Sequence, residues 1–286
     1  MNGFLNIDKP AGMTSTDVVR RVRRLAGQKR VGHGGTLDPL ATGVLPIALG
    51  LATRLLEYML EEEGKSYLAT VQLGSTTDTD DAEGAIIATA PVPPLDLATL
   101  EATLQPFRGT ITQIPPRYAA IRVDGRRLYE YARAGEVVAI PARTVTIEQL
   151  DLLEWTADTL VIQVACSKGT YIRSLARDLG ASLGCGAHLT ALRRTQAGVF
   201  DLATAVPLAD LLDNPDRLAS ALLPPTAALA GWPQITVDEA GIQLLRQGQR
   251  IPAAGPDERA AILDAAGELV AIVVRQAGQW QPTKVF

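Results

Sequence analysis

Apolar positions recur along this chain at two spacings, and the switch between them outlines most of its elements. Val18, Val22 and Leu25 fall on one helical face, behind cap candidates Thr14-Ser15-Thr16-Asp17 and ahead of Gly27. This predicts a helix over about residues 16–26. Val44 to Leu49 reads as a short buried strand and Thr53 to Leu60 as a helix. Tyr67, Ala69, Val71 and Leu73 alternate with Leu68, Thr70 and Gln72, a period of two that predicts a strand starting near Tyr67.

Ala88 to Pro94 is proline-rich and expected to be a loop, with a short helix over Leu97 to Leu104. From Ile114-Pro115-Pro116 to Gly135, arginines and tyrosines appear with weak periodicity, as in a protruding insertion. Val145 to Leu153 and Leu160 to Cys166 read as neighbouring strands. Ile172, Leu175, Ala176 and Leu179 then sit at i, i+3, i+4 and i+7 of a helix that carries Tyr171 and Arg173 in its first turn. Asp201 to Leu229 suits a helical connection. Beyond Gly231 a helix near Glu239 to Arg246 and strands near Ile262 and over Leu269 to Val274 suggest a small β domain leaning on its neighbour.

The chain has 286 residues and 47% hydrophobic content, enough for a sizeable core. Met1 to Pro10 lacks a basic-then-apolar leader, and no apolar run is long enough for a membrane helix, so a soluble, cytosolic protein is expected. Cys166 and Cys185 with two distant histidines make neither a disulfide framework nor a metal site.

The net charge of −4 argues against nucleic acid only if it is evenly spread, and it is not. Arg20, Arg21, Arg23, Arg24, Lys29 and Arg30 form one basic run. Arg117, Arg122, Arg126, Arg127, Arg133 and Arg143 form a second, and Lys168, Arg173, Arg177, Arg193 and Arg194 a third. Glu57, Glu61, Glu62 and Glu63, then Asp78, Asp80, Asp81 and Glu83, balance them. Any one run is an ordinary solvated face, but three arginine-weighted clusters in an acidic chain point to a phosphate-binding surface.

The densest chemistry lies in Gly32-His33-Gly34-Gly35-Thr36-Leu37-Asp38-Pro39-Leu40-Ala41-Thr42-Gly43. Glycines allow close backbone approach, and Pro39 holds Asp38 out of helical geometry. Such a carboxylate can be a nucleophile, a general base, a metal ligand or simply a brace for its turn. Thr77-Asp78-Thr79-Asp80-Asp81 reads as turn-capping rather than as a calcium loop, with Asp81 near any RNA that binds. Ser167-Lys168-Gly169-Thr170 lacks the spacing of a nucleotide phosphate loop.

The Asp38 loop, Lys9-Pro10, Gly12-Met13-Thr14-Ser15, Tyr67 with Leu73-Gly74 and Thr77 to Asp81, Gly125 to Arg133, Cys166 to Arg173, Leu183 to Leu189 and Leu192-Arg193-Arg194 occur in one order over roughly residues 3–210. Together they resemble the bacterial tRNA pseudouridine-55 synthases, the TruB family. The resemblance implies an α+β fold: a mixed, mostly antiparallel sheet flanked by helices. It implies a catalytic domain over 1–228 with an RNA-gripping insertion at about 106–143, and a small PUA-like RNA-binding β domain over 229–286. The implied activity is isomerisation of uridine-55 in the T loop of tRNA, with base flipping and no cofactor or metal, by a cytoplasmic monomer that uses no guide RNA and also assists tRNA folding.

By the same resemblance Asp38 is the catalytic aspartate, Arg173 its partner, and Tyr67 the residue stacked on the flipped base near C5. His33 fills the space left by the extruded nucleotide, Tyr171 and Leu192 line the uracil pocket, and Lys9 supports binding. Arg20, Arg21, Arg23, Arg24, Arg126 and Arg127 are candidates for the RNA backbone. His188 reads as structural. Attack of Asp38 at C1′ and proton removal from C2′ both remain open. Rivals are an RNA-binding module without chemistry, a guide-RNA-dependent relative, and a carboxylate glycosidase, which needs a second acid facing Asp38.

Overall fold

The computed structural model describes residues 1–62 and 64–286, with the side chains of residues 60–62 outside that description. The side chains of Glu61, Glu62 and Glu63 in the first acidic run therefore lie outside the described residues.

The chain runs through strands β1 (Gly3–Lys9), β2 (Val31–His33), β3 (Thr42–Leu49), β4 (Lys65–Leu73), β5 (Ser75–Thr77), β6 (Ile86–Thr89), β7 (Gly109–Gln113), β8 (Arg122–Val123), β9 (Arg126–Arg127), β10 (Arg143–Trp155), β11 (Thr159–Cys166), β12 (Ala187–Ala197), β13 (Phe200–Asp201) and β14 (Val206–Pro207). Among the described residues these build a ten-stranded sheet in the order β14-β1-β3-β12-β4-β11-β10-β7, with β2 beside β3 and β13 beside β12. The β1–β14 and β3–β12 pairs are parallel and the others antiparallel, so the sheet is mixed and mostly antiparallel, as the resemblance implies.

Alternation along the central strands buries both faces. Leu5 and Ile7 of β1 and Leu45, Ile47 and Leu49 of β3 pack under α1 (Ser15–Leu25), α3 (Leu97–Leu104) and α5 (Ile172–Ser182), through Val18, Val22, Leu100, Leu104, Leu175 and Leu179. Phe4, Val44 and Ala48 face the other way, against Leu55, Phe200, Leu229 and Ile272. Period-two chains with both parities apolar are what a sheet covered on both sides requires.

Helix α1 starts at a reciprocal cap: Asp17 N–H donates to Thr14 Oγ1 at 3.1 Å, and Thr14 N–H donates to the Asp17 carboxylate at 3.1 Å. The helix expected from Thr53 begins instead as a 3₁₀ turn over Gly50–Leu55 and becomes α2 over Leu56–Glu62. The loop expected from Ala88 begins two residues later, because β6 pairs with β5. The arginine- and tyrosine-rich insertion folds as the β8–β9 hairpin followed by α4 (Leu128–Arg133), with Asp124 and Gly125 in the left-handed region at the turn.

The last part of the chain forms a separate five-stranded sheet, β15 (Gln234–Thr236), β16 (Ile251–Pro252), β17 (Arg259–Leu263), β18 (Leu269–Gln276) and β19 (Gln279–Val285), in the order β15-β17-β18-β19-β16. Sequence periodicity points only to β17 and β18. This sheet leans on the first through apolar packing and aromatic contacts: Tyr58 meets Trp232 edge-on at 5.2 Å, and the Arg54 guanidinium lies 5.0 Å over the Phe286 ring. Lys284 donates to Arg54 O at 2.6 Å and pairs with Glu57.

Candidate active site

Asp38 sits on the loop between β2 and β3, and Arg173 reaches it from the first turn of α5. Arg173 Nε lies 3.0 Å from the Asp38 carboxylate. The other arms of the guanidinium meet the Asp81 carboxylate at 3.4 Å, Thr79 O at 3.1 Å and Tyr118 O at 3.2 Å. Arg173 and Asp81 are buried, whereas a third of the Asp38 side chain stays open. A guanidinium fixed by four acceptors holds the carboxylate in one orientation.

The loop itself is pinned from below. Lys9 Nζ is enclosed and donates to Ala41 O at 2.6 Å, Pro10 O at 2.8 Å and Pro39 O at 3.3 Å. Ser15 Oγ accepts from Leu37 N at 2.8 Å and donates to Leu37 O at 3.1 Å, while Gly12 N–H donates to Pro39 O at 2.8 Å. Gly43, at φ +97°, passes 2.2 Å (from an ideal Cβ) from Arg194 O, so only glycine lets β3 lie this close to β12.

Above the loop opens a cleft of about 650 Å³, lined by Asp38, Tyr67, Tyr171, Arg173 and Leu192, with Tyr118, Tyr129 and Arg133 of the insertion on its outer side. Tyr67 is buried on β4 and Leu192 on β12. Tyr171 is half-buried, its backbone clasped by Gln113, whose amide accepts from Tyr171 N at 2.8 Å and donates to Tyr171 O at 3.1 Å. Arg143 lies 5.5 Å over the Tyr171 ring. The root of the insertion is tied to α5, since Ser174 Oγ and Arg177 Nη2 donate to Ile114 O at 2.8 and 2.9 Å.

Burial shapes the acid–base character of this cleft. It holds the Asp38 pKa above the ordinary aspartate value against the pull of Arg173 and Lys9, with Asp81 adding to the rise. Burial likewise raises Tyr67, against Arg194, and lowers Lys9 to about 8. His33 is lowered by burial and then by Arg194.

Several expected roles change. Lys9 is wholly enclosed and spent on backbone carbonyls, so it braces the Asp38 loop rather than touching a substrate. His33 is half-buried on β2 and stands outside the cleft lining, with its Nδ1 enclosed and lacking a partner among the described residues. The third basic cluster does not form one surface: Arg173 and Arg194 are buried, Arg177 pairs with Asp80 at 3.0 Å and Arg193 with Asp8 at 2.7 Å, while Lys168 is exposed. Asp81, expected near RNA, is buried and turned onto Arg173, and it also belongs to the lining of the cleft. Arg20, Arg21, Arg23 and Arg24 are exposed along α1, with Arg20 paired to Asp17 and Arg23 donating to Val31 O at 3.0 Å. Arg126 pairs with Glu136 at 2.9 Å and lies 4.3 Å over Tyr131; Arg127 lies 5.9 Å over Tyr129. Among the described residues no cluster of His, Cys, Asp and Glu is arranged to hold a metal, and no helix is long and apolar enough to cross a membrane.

Residues 23–172 match the TruB family pseudouridylate synthase N-terminal domain, residues 173–230 the tRNA pseudouridylate synthase B C-terminal domain, and residues 232–286 the tRNA pseudouridine synthase II C-terminal domain. The chain belongs to the TruB family of pseudouridylate synthases. Among TruB relatives, it is 47% identical to the tRNA pseudouridine synthase B of Gloeobacter violaceus over 100% of this chain and 99% of that protein. It is 52% identical to the enzyme of the same name from Prochlorococcus marinus, over 88% of this chain and 78% of that one. The fold matches a solved H/ACA RNP bound to a substrate RNA containing 2′-deoxyuridine, with a TM-score of 0.75 and 27% identity, over 99% of this chain and 84% of that one. A Cbf5-Nop10-Gar1 complex matches at a TM-score of 0.76 with the same identity and coverage. The TruB assignment makes this chain an isomerase that acts on uridine in RNA.

Proposed function

We propose that the protein isomerises uridine-55 in the T loop of tRNA to pseudouridine, acting alone and without a cofactor. The observation that carries this reading is the Asp38 carboxylate, oriented by a buried arginine at the floor of a cleft walled by Tyr67, Tyr171 and Leu192; of the other acids there, Asp81 is spent on the same arginine and Glu83 lies on the lining. The names of the relatives support tRNA as the substrate.

A uridine inside a folded loop has to leave its stack to reach Asp38. Flipping costs a few kcal/mol, and stacking on an aromatic ring returns about 1–3 kcal/mol. Tyr67 offers that ring, and Leu192 and Tyr171 exclude water around the base. Asp38 acts on the ribose, as a nucleophile at C1′ or as a base at C2′, so that the bond from C1′ to N1 breaks and the base turns. It rejoins through C5, and the hydrogen on C5 then leaves toward the Tyr67 oxygen. A substrate carrying deuterium at C2′ separates the two routes, because only proton removal there is slowed.

The arginines of the insertion and of α1 grip the RNA backbone. His33, beside the loop, supports the gap left by the extruded nucleotide. Residues 1–228 act as the catalytic unit, with the insertion at about 106–143, and residues 229–286 as an RNA-binding unit.

The test is incubation of the protein alone with an unmodified T-arm stem-loop tritiated at uridine C5. Tritium release is expected, and no release under conditions where an active synthase works overturns the reading. If the Asp38→Asn variant still binds and refolds tRNA, the folding assistance is separate from the chemistry.

A further inference from the structure

Arg194 is a wholly buried charge that the reaction just described leaves unused. It sits on β12, in register with Tyr67 across one neighbour and with Gly43 across the other. No part of it reaches solvent. Nε donates to Val44 O at 2.7 Å, Nη2 to Gly35 O at 3.2 Å and Nη1 to Thr36 O at 3.4 Å. Arg194 and Tyr67 are cross-strand partners on one face of the sheet, so the guanidinium charge is enclosed beside the buried Tyr67 side chain. Among the described residues no carboxylate pairs with it.

An arginine keeps its proton in a protein, so a full positive charge is enclosed here with only carbonyl dipoles and one phenol around it. That is an expensive arrangement, and a neutral donor such as glutamine also bonds carbonyls. What a neutral donor cannot supply is a positive charge against the Tyr67 oxygen.

We propose that Arg194 is a positioning residue for the last proton transfer: it sets a positive charge beside Tyr67 that readies this side chain to receive a proton, and with its fork ties down the loop that leads to Asp38. This rests on the reading of the site as a uridine isomerase. After the base has rejoined the ribose, C5 holds both the new bond and its original hydrogen. The C5–H bond breaks and its electron pair forms the C5–C6 double bond. The electrons of the C6–N1 double bond pass to N1, which takes a proton from water. The hydrogen from C5 arrives on the Tyr67 oxygen, which has first given its own proton to solvent. Burial, Cys166 and Asp38 all oppose the phenolate and hold the Tyr67 pKa above its ordinary value; Arg194 alone works the other way, so its charge is what keeps the phenolate within reach. Its charge also bears on His33 and Lys9, at the two ends of the same loop.

The test is a double-mutant cycle of Tyr67→Phe and Arg194→Gln in the full chain, read as the single-turnover rate of tritium release from the T-arm stem-loop, with RNA affinity measured in parallel. Arg194→Gln is expected to lower the rate by about 10²-fold while affinity changes by less than about threefold, and to cost less than about threefold once Tyr67 is phenylalanine. An equal loss in both backgrounds overturns the proposal, since Arg194 then acts through the loop alone; so does a loss confined to affinity. Full activity of Tyr67→Phe removes Tyr67 as proton acceptor and the proposal with it, while tritium release still upholds the isomerase. If Arg194→Gln lacks a cooperative unfolding transition, Arg194→Lys is read in the same cycle instead: because lysine keeps the charge beside Tyr67, a loss below about tenfold upholds the proposal, and a larger loss, or one equal in both backgrounds, overturns it.

Discussion

Arg173 joins Asp38 to Asp81, and of the two carboxylates Asp81 is the deeper, its side chain 4% exposed against 33% for Asp38. One arginine is thus anchored on an enclosed acid and presents its Nε edge to an open one. Asp38 is the end of this chain of contacts that a substrate can reach.

The anchoring role of Asp81 has a direct test. Its carboxylate also accepts from Thr79 Oγ1 at 2.5 Å and from Glu83 N at 3.1 Å, so Asp81→Ala strips one partner from a buried arginine and unmakes the turn. The variant should lose about 3 kcal/mol of stability in urea unfolding, and turnover should fall with RNA affinity unchanged. Loss of affinity with normal turnover would instead put Asp81 in contact with the RNA.

Asp38→Asn should abolish turnover, by about 10³-fold or more, and should melt higher than the wild type at pH 7. The sign follows from burial raising the folded pKa above its unfolded value of about 3.8. Between those two values the folded chain holds a proton that the unfolded chain has shed, so stability falls as pH rises through that window. The amide cannot ionise and escapes this loss. Melting curves should therefore converge as the pH falls below 3.8, and turnover of the wild type should fail on the acid side at a pH above the ordinary aspartate value.

Lys9 gives the opposite slope at alkaline pH. Its folded pKa of about 8 lies below the ordinary 10.5, so between these values the unfolded chain holds a proton that the folded chain has lost. Stability should rise with pH across this window by the Lys9 contribution. Lys9→Met should remove that rise and, by orphaning the carbonyls of Pro39 and Ala41, destabilise the protein by about 2–4 kcal/mol. Urea unfolding at several pH values reads both effects, and an unchanged slope would deny the shift.

The α1 arginines are tested by salt. Removing the charges of Arg20, Arg21 and Arg24 should flatten the plot of log affinity against log salt by about 0.7–0.9 for each phosphate that is no longer neutralised. Arg23 is left in place because its guanidinium holds Val31 O. Equal slopes would take this helix out of the interface.

What the sequence disclosed and what it hid have physical causes. Helix α1 and helix α5 are legible because cap residues and i, i+3, i+4 spacing are local signals, and Asp38 is legible because glycine and proline restrict its loop. Arg193 and Arg194 look alike in sequence, yet neighbouring residues of a strand point to opposite faces: one pairs at the surface with Asp8, and the other is enclosed beside Tyr67. Which is which depends on the register of β12 against β4, a long-range quantity. The burial of Asp81 and Lys9 is hidden for a related reason. A charged side chain is assumed to be solvated until three-dimensional partners make burial tolerable. Strand β19 escapes detection because Pro282 and Lys284 follow Trp280 on the inward parity and leave it no run of alternating apolar residues.

The order of strands in the main sheet also bears on synthesis. Strand β12 lies between β3 and β4, although it follows them by more than a hundred residues. It brings Leu192 to the cleft and Arg194 beneath Tyr67, and α5, which carries Arg173, comes only shortly before it. A ribosome can expose the Asp38 loop early, but the pieces around it have no wall to close on until Ala197 has emerged. The growing chain thus stays catalytically silent for about its first two-thirds, and no truncated product ending before β12 can alter RNA.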